Sequence, residues 1–420
     1  MNPQKILKID RWLGRPACWL LTAVRRVARL FGRGDRDPGP PNKILFIKMI
    51  EQGATVLAYR AIARAVEMVG RENVYFWVFE ENRPILDLLD VIPPQNVLSI
   101  RGKKPVSLAI DMLKTLWRIR GLGIDATVDM EFFARAPAIL AFLSGARRRV
   151  GLHRFTSEGP YRGDLMTHRV QYNPYLHTAV MYYILVEALL VSPADAADPR
   201  QQPLMKISAP TFDAAPPMFR PAEAELLKMR ELIRTELGSE PPARIVLLNP
   251  NASDLLPLRK WPTERFVELA RRILADGDDT TIILTGGPSE RAAAQRVLQE
   301  ISSPRAISLA GRTTLRELLV LFTVADVLVT NDSGPGHFSS MTPIDTIVMF
   351  GPETPALFGP VGPRTHILYA GLACSPCVNA FNHRFSPCTN NVCMQVITIE
   401  QVHAAVKQAL ASRKGLVGAL

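Results

Sequence analysis

Two apolar rhythms alternate along this chain. Short runs dense in β-branched and aromatic residues, such as 43–49 (KILFIKM) and 74–79 (VYFWVF), are separated by longer stretches whose apolar positions recur at helical spacing. Further strands are predicted at 97–100, 126–130 and around Val150, with helices at 55–69, 106–120 and 136–143. Arg147-Arg148-Arg149 reads as a solvated loop before a strand, with an anionic substrate as the alternative. A second series follows: strands at 244–248, 280–284, 306–309 and 327–330, and helices at 222–237, 261–275, 290–301 and 315–323. Strand alternating with helix implies parallel sheets covered on both faces. Pro-, Ala- and Asp-rich sequence between 193 and 221 separates the two series. The expected plan is an arm and linker at 1–38, a Rossmann-like domain at 39–195, a linker at 196–221 and a second Rossmann-like domain at 222–420. A cleft is expected between the two doubly wound sheets.

The arm has a pattern of its own. On a helical wheel Leu20, Ala23, Val24, Val27 and Phe31 share one side, and Thr22, Arg25, Arg26, Arg29 and Arg33 share the other. With Trp12 and Trp19 at headgroup level, residues 11–33 read as an amphipathic helix lying on an anionic membrane surface. A helix packed on the protein's own body or on a partner is the alternative. Breakers at 34–41 are expected to leave the arm free.

Charge sharpens this reading. The net charge is +11 over 420 residues, yet residues 1–36 hold nine Lys or Arg against Asp10 and Asp35, leaving the rest at about +4. That excludes a body-wide nucleic-acid surface. No run of eighteen apolar residues is present, so no ordinary membrane-spanning helix is expected. The N-terminus lacks the pattern of a secretory signal, and a cytoplasmic location is expected.

Candidate chemistry gathers after the strands of the second series. Strand 327–330 runs into Asn331-Asp332-Ser333-Gly334-Pro335-Gly336-His337. Amides of Ser333, Gly334 and Gly336 at a helix start, with His337, suit a phosphate or diphosphate; an ordinary strand-to-helix turn is the alternative. Loops 249–260 (Asn251, Ser253, Arg259, Lys260) and 285–289 (Thr285, Gly286, Gly287) leave the same sheet edge. Together they suit a nucleoside diphosphate. Neither a P-loop nor a G-x-G-x-x-G turn is present, which disfavours nucleotide hydrolysis and dinucleotide redox chemistry. Cys374, Cys377, Cys388 and Cys393 have the ligand count of a structural zinc site, with His383 as a spare ligand. A redox pair and inert thiols are the other two readings.

The second half resembles glycosyltransferase family 9, the lipopolysaccharide heptosyltransferase type. The likeness lies in LNPNAS (248–253), RKWP (259–262) with Arg265-Phe266, TGG (285–287) with Glu290, LAGRT (309–313), DSGPGH (332–337) and FGPE (350–353). Looser similarity covers 43–61, 125–129 and 144–151. The resemblance implies an α/β GT-B architecture of two Rossmann-like domains facing a central cleft, with a nucleoside-diphosphate sugar in the second and a lipid-linked saccharide acceptor in the first. It also implies inverting transfer without a catalytic metal. By the same resemblance Asp332 to His337 hold the diphosphate and sugar, and Arg259 or Lys260 stabilises the departing charge; the family order is usually Lys-Arg.

One departure bears on mechanism. Where the family has Gly-Asp, the Asp acting as base, this chain has Gly53-Ala54. Glu51 is the nearest carboxylate able to substitute, with Asp129 and Glu131 as other candidates; alternatively Glu51 only caps the next helix. The expected function is therefore glycosyl transfer onto a membrane glycolipid of the cell envelope, at the inner face of the cell membrane. Rivals are a nucleotide-sugar-binding protein that has lost its base and a sugar-nucleotide epimerase on a similar fold.

Overall fold

A computed structural model describes residues 10–31, 39–102, 104–153, 161–191, 215–252, 256–382 and 385–417. Ser253, His383, Arg33 and most of the linker lie outside the described residues. The chain forms two compact units, Met1–Ala214 and Ala215–Leu420.

Unit 1 is built on a six-stranded parallel sheet of β1 (Ile44–Ile47), β2 (Val74–Phe79), β3 (Val97–Ile100), β4 (Ala126–Asp129), β5 (Arg148–His153) and β6 (His168–Gln171). Their order is β3-β2-β1-β4-β5-β6. β1 and β4 are buried throughout, as continuous apolar runs in a parallel sheet should be. The helices are α1 (Arg15–Leu30), α2 (Gln52–Leu57), α3 (Tyr59–Val69), α4 (Arg83–Leu89), α5 (Pro105–Gly121), α6 (Arg135–Leu143) and α7 (Thr178–Glu187). Leu116 and Ile119 of α5, Ala138 and Leu140 of α6 and Cys18 of α1 share one core with Leu45 and Ile47, so these three helices form one layer. α3 and α7 pack together.

Unit 2 repeats the plan. Its strands are β7 (Arg244–Asn249), β8 (Thr280–Leu284), β9 (Ala306–Ser308), β10 (Val327–Asn331), β11 (Asp345–Phe350) and β12 (Thr365–Tyr369), ordered β12-β11-β10-β7-β8-β9 and all parallel. The helices are α8 (Glu223–Leu237), α9 (Thr263–Ala275), α10 (Arg291–Ile301), α11 (Leu315–Val324), the short α12 (Gly334–Phe338) and the C-terminal α13 (Ile399–Val417). Trp261 is fully buried; its indole N–H donates to Ile397 O (2.9 Å) and its ring meets Phe266 edge-on at 5.0 Å.

Three expectations need correcting. The helix expected at 55–69 begins at Gln52 and breaks at Ala58. Arg148 and Arg149 are not a solvated loop. Both are buried at the start of β5, where Arg148 donates to the carbonyls of Leu189 and Val191 and Arg149 to those of Leu165 and Ala146. Backbone carbonyls left over at loop ends thus receive both buried guanidinium groups.

The arm is not free. A narrow stripe of Gly14, Cys18, Thr22 and Arg25 faces unit 1: Arg25 pairs with Asp164 at 3.0 Å, Thr22 Oγ1 accepts from Asp164 N, and Asp10 pairs with Arg135 at 2.7 Å. Arg25 therefore points at the protein, and the broad apolar face points outward. Gly163 permits the docking: its φ is +66°, and a Cβ there would lie 2.3 Å from Thr22 Oγ1 and 2.8 Å from Cys18 O. Gly163→Val is expected to loosen the arm, so that trypsin cuts at Arg25 and Arg26 about tenfold faster than in the parent while unit 1 stays resistant.

Candidate functional site

In each sheet the winding reverses between two central strands, β1 and β4 in unit 1, β7 and β10 in unit 2. Connections leaving such a pair diverge to opposite faces and open a crevice at the carboxyl ends. The predicted site residues gather at these two places.

In unit 1, β1 ends at Lys48, whose ammonium is fully buried and bridges Glu51 Oε2 (3.1 Å) and Glu131 Oε2 (3.2 Å). Glu131 is held in turn by the amides of Met49 (2.9 Å) and Ile50. Its own N–H donates to Asp129 Oδ1 at 2.9 Å. Asp129 is fully buried against Arg162, and burial pushes its carboxyl up to about 6. That position takes Asp129 out of reach of a bulky saccharide, contrary to its candidacy as base. Glu131 is spent on Lys48 and two amides. Glu51 is the outermost member of the chain of charges and keeps partial solvent access. It does not cap α2 with its side chain, and its φ of 73° and ψ of 82° place a non-glycine residue in the left-handed region. Such a conformation costs roughly 1–3 kcal/mol and recurs where a side chain must be aimed. Ala54 lies half-buried inside α2.

Unit 2 braces three loops together. Asn331, the last residue of β10, accepts from Trp261 N (2.9 Å) and donates to Asn251 O (3.1 Å). Asn251 donates from its side chain to Thr285 O at 3.2 Å, and its N–H reaches Asn249 Oδ1. Gly286 packs so closely that a Cβ would meet Asn251 Nδ2 at 2.8 Å, while Gly287 N donates to Glu290 at 2.6 Å. The Thr285 hydroxyl is buried with no hydrogen-bond partner among the described residues, a polar atom that a ligand oxygen would satisfy.

The turn after β10 departs from the expected arrangement in one respect. Gly336 N–H is taken by Ser333 O at 3.2 Å, which leaves the amides of Ser333 and Gly334 as the anion-facing donors; Pro335 has none. The Ser333 hydroxyl bonds to Asn331 O and Thr330 rather than capping α12, and His337 is buried within α12.

The two adjacent cations separate. Arg259 is buried between Asp332 (3.3 Å from Nε) and Glu353, and is committed to them. Lys260 is half-buried and pairs with no carboxylate among the described residues; Asn391 donates to its backbone carbonyl and to that of Leu258, fixing the loop. Burial raises the carboxyls of both Asp332 and Glu353, Glu353 up to about 8, against the pull of the guanidinium. Burial thus favours the protonated form of Glu353 at neutral pH, which lessens the negative charge set against Arg259. Lys48, Asn331 and Glu353 are the contributors that sequence reading left unassigned. The only signal was a lysine closing an apolar strand and two polar residues at strand ends.

The four cysteines share one neighbourhood. Cys374 and Cys388 are exposed, Cys377 is half-buried beside Ser386, and Cys393 is buried with its thiol pushed up to about 11 by burial and by the other three thiols. Among the described residues no three His, Cys, Asp or Glu side chains are grouped to hold a metal.

A match to the family described as glycosyltransferase family 9 (heptosyltransferase) spans residues 116–384. The chain belongs to that family. As a family-9 member it is 26% identical over 170 residues to lipooligosaccharide heptosyltransferase 2 of Campylobacter jejuni, covering 40% of this chain and 51% of the relative. It is 25% identical over 115 residues to lipopolysaccharide heptosyltransferase 2 of Salmonella typhimurium, covering 27% and 32%. The matched segments thus span about half and about one-third of the length of these relatives. The structure of E. coli ADP-heptose lps heptosyltransferase II superposes with a TM-score of 0.65 at 16% identity, over 89% of this chain and 99% of that one. A family-9 structure from Veillonella parvula gives 0.62 at 17%, over 88% and 97%. The fold is the GT-B-like one expected.

The raised carboxyl gives a pH prediction. Between the ordinary glutamate value of 4.5 and about 8 the folded protein holds the Glu353 proton that the unfolded chain releases. Its contribution is complete below 4.5 and lost as pH rises through 8. Stability by urea unfolding is expected to fall by about 1 kcal/mol from this group between pH 7 and 9, and Glu353→Gln is expected to remove that fall.

Proposed function

We propose that this protein transfers a glycosyl group, a heptose or related sugar, from a nucleoside diphosphate to a lipid-linked saccharide of the lipopolysaccharide or lipooligosaccharide core. Transfer inverts the anomeric centre in one displacement and uses no metal ion. The observation that carries the reading is Lys260, a cation with no carboxylate partner among the described residues, beside the Asn331-braced turn in a family-9 chain. The heptosyltransferase names of the relatives and the solved structure with ADP-2-deoxy-2-fluoro heptose support the class of donor.

The roles follow from charge. The acceptor hydroxyl oxygen attacks the anomeric carbon while its proton passes to the Glu51 carboxylate. The bond from that carbon to the β-phosphate oxygen breaks, and its electron pair leaves with the diphosphate. Lys260 and the amides of Ser333 and Gly334 receive the developing negative charge. Arg259 positions the turn through Asp332 and Glu353 instead of meeting the phosphate. Lys48 holds Glu51 in place at 3.1 Å, and Glu51 stands in for the aspartate that Ala54 replaces.

Nucleoside diphosphate release is measured with ADP-, UDP-, GDP- and CDP-sugars and a core-saccharide acceptor. Glu51→Gln is expected to lower kcat by about 10²–10⁴ with donor affinity unchanged, and Lys260→Ala to weaken both donor binding and turnover. Donor binding without release in the parent protein supports the impaired binding protein. Product formed without acceptor supports an epimerase.

A further inference from the structure

Among the described residues twenty-two large hydrophobic side chains are exposed, and twelve of them lie on two stretches, 12–31 and 106–117. α1 turns its small stripe inward and presents Trp19, Leu20, Val24, Val27, Leu30 and Phe31 outward, each more than half exposed. α5 does the same. Leu116 and Ile119 enter the core, while Val106, Ile110, Leu113 and Trp117 recur at helical spacing on the outer side, Trp117 at 83% exposure. α1 and α5 belong to one helical layer on the same sheet face, with α6, whose only exposed side chain is Ala136, completing that layer. Apolar surface of this extent is rare on a soluble monomer and marks a binding face.

Charge identifies the occupant. Arg11, Arg15 and Arg26 are exposed on or beside α1, and Lys104 and Lys114 on or beside α5. The carboxylates of these stretches are spent inward: Asp10 on Arg135, and Asp111 on the amides of Arg101 and Gly102. A second copy docking through the same face would set cations against cations, which a two-fold interface must avoid. An anionic lipid surface meets both demands at once. Its headgroups pair with the arginines and lysines, and its acyl boundary takes Trp12, Trp19, Trp117 and the aliphatic side chains. Among the described residues no helix is long and apolar enough to cross a membrane, which fits a helix lying in the interface.

We propose that the outward faces of α1 and α5 together form a docking surface for the anionic inner face of the cell membrane, α1 being fixed to the body by Arg25–Asp164 and carrying unit 1 with it. The surface thus extends beyond the arm and includes Trp117, about a hundred residues away in sequence. This does not rest on the catalytic reading.

The test is flotation of the full-length protein with vesicles of phosphatidylcholine alone and of phosphatidylcholine with one-third phosphatidylglycerol. The parent is expected to float with the anionic vesicles only. Trp19→Asp and Trp117→Asp are each expected to cut the bound fraction at least about tenfold, and Arg26→Gln about fivefold. All three should keep the parent thermal midpoint, because these side chains are exposed. Failure of the parent to bind, or binding of Trp117→Asp at the parent level, overturns the two-helix surface. A parent dimer in sedimentation that Trp117→Asp dissociates, with no vesicle binding, assigns the face to self-association instead.

Discussion

A parallel sheet wound outward from its centre has one pair of neighbouring strands whose connections depart to opposite faces, and only there does the carboxyl edge stay open. Both sheets of this protein obey that constraint, with the open pair at β1/β4 in one and β7/β10 in the other. The chemistry follows the topology. Glu51, Lys48, Glu131 and Asp129 lie at the first opening, and Lys260, Asn331, Asp332 and the Ser333–Gly334 amides at the second. An open edge is also where backbone amides are left over, which is why short polar side chains such as Asn251 and Asn331 are found bracing it.

The two openings handle charge in opposite ways. In unit 1 a buried ammonium collects two carboxylates, and one of them, Glu51, is held near solvent on a strained backbone. In unit 2 a buried guanidinium collects two carboxyls whose ionisation is opposed by burial, and Lys260 beside them pairs with no carboxylate among the described residues. Both arrangements cost desolvation, and breaking either would leave a buried charge unpaired at several kcal/mol. The first suits a proton acceptor, the second a site for an arriving dianion.

Much of this was legible in the sequence because it is local. Alternating strand and helix patterns, the turn at Ser333 to His337, and the RKWP stretch each lie within a dozen residues. What was not legible depends on residues brought together from afar. Arg259 and Glu353 are almost a hundred positions apart, so a basic pair that reads as two phosphate ligands becomes one structural and one free cation. The Arg148–Arg149 run looked solvated because nothing local reveals the carbonyls of Leu165 and Leu189 that receive it. β12 went unpredicted because THILY is a half-exposed edge strand with little apolar alternation. The arm was recognised as amphipathic, but its small inward stripe gave no hint that Arg25 would be a docking residue, since Asp164 lies 139 positions on.

The opening at β7/β10 is proposed to grip a diphosphate through Lys260 and the amides of Ser333 and Gly334. A crystal structure with an intact nucleotide sugar tests this directly. A β-phosphate oxygen is expected within hydrogen-bond distance of Lys260 Nζ and of the Ser333 or Gly334 amide, with Arg259 still between Asp332 and Glu353. A diphosphate bound elsewhere, or Arg259 released from its carboxyls to meet it, would contradict it.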